Sequence, residues 1–131
     1  MNEKRSLLAV ALAALACEKT VQHVFVTLAF LLGYGGIRES VVVDYRVLVV
    51  VGSVLAVLFA ASVPLVWRGR ERGFALLFAL GVFDVASEFV AQGTFAIHVV
   101  VSSLVAWAIV LLSLARWWLR RRLAGPSGHR A

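Results

Sequence analysis

Cysteine is all but missing from this chain: Cys17 is the only one in 131 residues. Neither an intrachain disulfide nor a cysteine-built metal cage is therefore available. Charge is scarce too, at 15% of residues, and only seven residues are acidic. There is no glycine-rich phosphate loop, no HExxH or CxxC motif, and no internal repeat. The Glu-x-x-His signature of di-iron bundles is missing. No serine or cysteine stands at an evident spacing from a base and an orienting acid, so hydrolytic chemistry has no visible nucleophile. No enzymatic activity and no cofactor are predicted.

What fills the chain instead is apolar. Hydrophobic residues make up 62% of it, and the mean hydropathy is +0.94. A soluble domain of this size could not hide so much apolar surface. The net charge of +6 does not point to nucleic acid, because the basic residues flank the apolar runs, where they orient a chain in a bilayer.

The expected fold is an all-α integral membrane protein, a four-transmembrane-helix bundle with both termini cytoplasmic. The spans are placed at about 7–32, 47–67, 74–92 and 95–119, within a domain over 1–123 that precedes a disordered tail over 124–131. Met1–Arg5 and Leu7–Ala16 imitate a signal peptide ahead of Cys17, but hydrophobicity resumes at Val24, which favours one long first span. Gly33 to Gly36 ends that span, and the mixed segment Ile37–Arg46 is expected at the surface. Pro64 is expected to bend the second span. Basic clusters at the N-terminus, over Arg68–Arg72 and over Arg116–Arg122 fall on one side of a four-span protein. The positive-inside rule puts that side in the cytoplasm, and the protein in the cell membrane. Trp67, Trp117 and Trp118 read as interface anchors, and Trp107 as packing. Gly52, Ala56 and Ala60 form a small-residue ridge on which a second copy is expected to pack.

The informative residues are the polar ones inside the apolar runs. Asp84 and Glu88 lie four apart, on one face of the third span. Ionisable groups at such depth are costly, and they normally face a bundle interior, a cavity or a partner. In the first span Lys19, His23 and Thr27 share a side, with Glu18 and Gln22 beside it. In the fourth, His98, Ser102 and Ala106 follow at spacing four. Counting ~1.5 Å per residue from the span ends, His98 matches Glu88 in depth and His23 matches Asp84. Lys19 can reach Asp84, and Glu18 has no evident partner but Lys19. The two histidines differ by about 9 Å in depth on that scale, which disfavours a bis-histidine haem. His23, Asp84, Glu88 and His98 would suit zinc or iron only as a loose set.

The function this implies is a small transporter or channel-like protein handling protons or ions through Asp84, Glu88, Glu18, Lys19, His23, His98, Gln22 and Ser102. The alternatives are an accessory or assembly subunit whose buried charges fix helix packing, and a metal- or haem-binding membrane protein. A sealed, fully paired cluster would favour the accessory reading. A cluster open to water on one side would favour transport.

Overall fold

Ser6 opens the first helix, its hydroxyl accepting the amide of Ala9 at 3.2 Å. The computed structural model describes residues 6–93 and 100–124. α1 (Leu7–Leu32) runs unbroken through the polar stretch at its middle. It stops at Gly33, whose φ of 63° is the left-handed conformation that ends helices and favours glycine. Arg38, in the 3₁₀ segment Tyr34–Ser40, then donates to the freed carbonyls of Phe30 at 2.8 Å and Leu31 at 2.7 Å.

The next helix begins earlier than the apolar pattern suggests, because Asp44 accepts the Arg46 amide at 2.8 Å and caps it. α2 (Tyr45–Trp67) continues past Pro64 to Trp67. A turn through Gly69 leads to α3 (Glu71–Gln92), which starts at Glu71 rather than Phe74. The guanidinium of Arg116 holds the Glu71 carboxylate at 2.6 and 3.0 Å, and Arg120 also bonds it. α4 (Val100–Leu123) completes the set. The expected start of the fourth span at 95 and most of the tail over 124–131 lie outside the described residues.

Short connections force neighbouring helices to run antiparallel. α1 packs along α2, α2 on α3, α3 on α4, and α4 closes the ring on α1. The start of α1, the α2–α3 turn and the finish of α4 therefore share one end, called here the arginine end. All four helices are long and apolar enough to cross a membrane. Each helix bonds its own backbone internally, as a chain in lipid must.

Burial is inverted relative to a water-soluble bundle. Lys19 and Ser62 are fully buried and Asp84 is 2% exposed, whereas Phe25 is 66% exposed and Val50 64%. Trp107, expected to pack, is 42% exposed on the outer face of α4. Large apolar side chains exposed along every helix are what a lipid-facing surface requires.

The apolar core sits in the half nearer the arginine end, where Leu12, Ala16, Phe59, Val66, Leu77 and Ile109 pack together. The small-residue ridge is turned mostly inward. Ala56 is buried, and a Cβ on Gly52 would meet Thr27 Oγ1 of α1 at 2.5 Å. Only Ala60 of the three is exposed. Gly52 thus serves the α1–α2 contact, and Ala56 is buried within the bundle.

Candidate functional site

Above that core, three helices deliver polar side chains to the bundle axis. Lys19 and His23 are four apart on α1, so both project inward from successive turns. Asp84 and Glu88 do the same from α3. Lys19 Nζ lies 2.5 Å from Asp84 Oδ2, and His23 Nε2 lies 3.1 Å from Asp84 Oδ1. The pair joins α1 to α3 across the diagonal of the ring. Lys19 also donates to Ser102 Oγ of α4 at 2.8 Å, and Ser102 donates onward to Glu88 Oε1 at 2.7 Å. Ser103 donates to the other oxygen, Glu88 Oε2. A continuous polar chain results: His23, Asp84, Lys19, Ser102, Glu88.

Asp84 and Glu88 bring two carboxyl groups to this chain against one amine, Lys19, with the His23 imidazole beside Asp84. Among the described residues Glu88 has no cationic partner, only two hydroxyls. Hydroxyls orient a carboxylate but do not neutralise it, and an uncompensated charge away from water is costly.

A cleft of about 310 Å³ opens beside this chain, in the half of the bundle away from the arginine end. Asp84, Glu88, His23 and Ser102 line its polar side, while Phe30, Ile37, Val41, Leu48, Val51 and Leu55 form apolar walls. Lys19, fully buried, does not line it. Phe59 stacks on His23 with ring centroids 5.5 Å apart, where the cleft gives way to the apolar core. Two more polar groups lack partners here. Thr27 is 8% exposed and its Oγ1 bonds nothing. Gln22 spends its amide nitrogen on Glu18 at 3.1 Å, which leaves its buried Oε1 unbonded.

The residues foreseen from sequence thus divide. Lys19, His23, Asp84, Glu88 and Ser102 come together, and Gln22 borders the cleft. Glu18 does not join them. It is exposed and bonds Gln22 instead of Lys19, since adjacent helical residues point about 100° apart whereas residues four apart share a face. His98, paired in expectation with Glu88, lies outside the described residues. The second clamp on Glu88, Ser103, was missed. Its signal was there: a carboxylate has two oxygens to satisfy, and Ser103 adjoins Ser102. The stacking of Phe59 on His23 had no sequence signal.

Among the described residues, no three histidine, cysteine, aspartate or glutamate side chains converge as metal ligands. No protein-family model, no curated protein and no solved structure matches this chain.

Proposed function

We propose that this chain is a small membrane carrier that takes up a proton or a cation into a cleft reached from one face of the bilayer. Asp84 and Glu88 are the accepting carboxylates, Lys19 is the internal counter-charge, His23 extends the chain beyond Asp84, and Ser102 links Lys19 to Glu88. The observation that carries this reading is the Glu88 carboxyl group, held by two hydroxyls and by no cation among the described residues, on the lining of a cleft. A purely structural network would be fully paired and sealed. Here Glu88 faces open space, where it can take a proton or a cation.

The apolar half argues for a carrier over a channel. A continuous pore would need polar lining past Phe59, and the packed side chains of Leu12, Leu77 and Ile109 occupy that level. Passage then requires the helices to exchange which side is open, as in alternating access. The accessory-subunit reading is favoured by one feature, the direct Lys19–Asp84 pair, which would lock α1 to α3.

Among the described residues the arginine end carries Arg68, Arg70, Arg72, Arg116 and Arg120–Arg122 against Glu71 alone. The opposite end balances Arg38 and Arg46 with Glu39 and Asp44. The positive-inside rule therefore orients both termini to the cytoplasm and the cleft to the outside of the cell membrane. In a Cys17→Ser background, Glu39→Cys should react with an impermeant maleimide on intact cells and Arg70→Cys should not; the reverse pattern would invert the topology. For the function, purified protein in liposomes enclosing a pH dye should take up protons, or exchange them for a cation, in response to a gradient. Glu88→Gln should abolish that flux. Flux absent in the wild type, or unaltered in folded Glu88→Gln, would move the protein to the accessory class.

A further inference from the structure

Among the described residues the polar side of the cleft offers the carboxylate oxygens of Asp84 and Glu88, with the Gln92 amide also on its lining. Glu88 accepts a hydrogen bond from each of two serines and has lone pairs left over, with no cation to meet them among the described residues. Asp84 shares the same side. Gln22 presents Oε1 and not its amide nitrogen, because Glu18 has fixed the amide's orientation. Thr27 Oγ1, more than nine-tenths buried and unbonded, borders the same space. Two cations near the cleft that would suit an anion, Lys19 and Arg38, are withheld. Lys19 is spent on Asp84 and Ser102 and fully buried, and Arg38 is held by the α1 carbonyls and stacked 4.1 Å over Tyr45.

The rest of the cleft is apolar. Val26, Phe30, Ile37, Leu48, Val51 and Leu55 surround it, and its volume of about 310 Å³ lies at the small end of ligand pockets. A bare metal ion or proton would leave those walls without a partner. A sugar or other polyol would leave its own hydroxyls unpaired against them.

We infer that the cleft binds an organic ammonium ion with an apolar body, its N–H donors on Glu88 and Thr27 and its hydrocarbon against Phe30, Val51 and Leu55. This rests on the carrier reading above and names the class of its cargo. The ammonium would give Glu88 the cationic partner that no described residue supplies. It could come from a free hydrophobic amine or from the headgroup of an amine lipid.

The test is calorimetric titration of the full chain in nanodiscs of phosphatidylcholine, which has no N–H donor. 3-Phenylpropylamine should bind saturably at one site, and the neutral isostere 3-phenylpropanol at least tenfold more weakly. Glu88→Gln should weaken the amine at least tenfold. Thr27→Val, which keeps the volume and the charge, should weaken it severalfold and decides the matter if Glu88→Gln does not fold. No saturable amine binding, equal affinity for the alcohol, or unaltered amine affinity in the folded variants would overturn the inference. Adding phosphatidylethanolamine to the nanodiscs assigns the source: competition makes the lipid amine the occupant, and unaltered affinity makes it a free amine. Amine binding without any proton or cation flux would keep this inference and overturn the carrier reading. Flux without amine binding would do the reverse.

Discussion

The two halves of this bundle are built from the same four helices and are filled in opposite ways. Toward the arginine end, Leu12, Phe59, Val66, Phe74, Leu77 and Ile109 interdigitate. The buried hydroxyl of Ser62 there is satisfied within its own helix by the Phe59 carbonyl at 2.7 Å, though Ser113 Oγ is left unbonded. Toward the other end, the axis holds the polar chain and about 310 Å³ of open space. The same difference separates the two groups of ion pairs. Glu71, 58% exposed by side chain, bridges Arg116 and Arg120 at the surface, where such contacts are worth little. Lys19 and Asp84, with side chains 0% and 3% exposed, meet with Lys19 sealed from water and Asp84 touching the cleft only at its edge. Along the bundle axis, one half is packed for cohesion, and the other keeps charge and space where packing alone would have removed both.

The largest way to break that contrast is to unpair the buried cation. Asp84→Asn leaves Lys19 facing an amide and a serine, and loss of one member of a buried pair costs about 3–5 kcal/mol. A fall in melting temperature in detergent should follow. Adding Lys19→Met should recover most of it, because the methionine fills similar volume without charge. If Asp84→Asn melts like the wild type, Lys19 is not held by Asp84, and the contrast between the two pairs disappears.

A smaller effect tests how tightly the apolar half is closed. Gly73 lets α3 approach α2 so nearly that a Cβ there would lie 2.7 Å from the Leu65 carbonyl carbon and 2.8 Å from the Val66 nitrogen. Those are backbone atoms, and they cannot rotate away. Gly73→Ala should cost about 1–3 kcal/mol through overpacking. Leu65→Ala should not rescue it, since the obstructing backbone and the Leu65 Cβ remain. Rescue by that second change would mean the helices can part freely.

Much of this was legible before any coordinates. In an apolar run any charge stands out, and the fixed rise of a helix turns residue number into depth. That is why Lys19, His23 and Asp84 could be matched across α1 and α3. The same reasoning set Glu18 beside Lys19, where facing mattered more than depth; the spacing of four to Gln22 was the better signal. Depth also matched Glu88 to a histidine, while the side chains that hold it among the described residues are Ser102 and Ser103. Ser102 was visible by its spacing from His98, but Ser103 was not, because a hydroxyl in an apolar helix can satisfy itself on the backbone when unused. The ridge at Gly52 was readable as a close approach, but spacing cannot say whether the approaching helix is α1 or a second copy. The cleft had no signature at all. It is the shape left when Val26, Phe30, Leu48 and Val51 fail to meet, and no periodicity encodes a gap.

The smallest prediction concerns Gly52, which does for the cleft half what Gly73 does for the packed one. A Cβ at Gly52 would come within 2.5 Å of Thr27 Oγ1, with the next atom, Thr27 Cβ, at 3.8 Å. The obstacle is therefore one hydroxyl, not a backbone, and open space adjoins it. Gly52→Ala should cost only about 1 kcal/mol, at the low end of overpacking. Thr27→Ala removes the hydroxyl and should abolish that cost. The double variant should even keep some of the roughly 1 kcal/mol by which alanine exceeds glycine inside a helix. Melting curves of the two single variants and the double give the coupling directly. If Thr27→Ala leaves the Gly52→Ala penalty intact, α1 and α2 are pressed together by backbone at this level too. The cleft wall would then be as rigid as the packed half, and the opening beside Glu88 could not yield to admit a ligand.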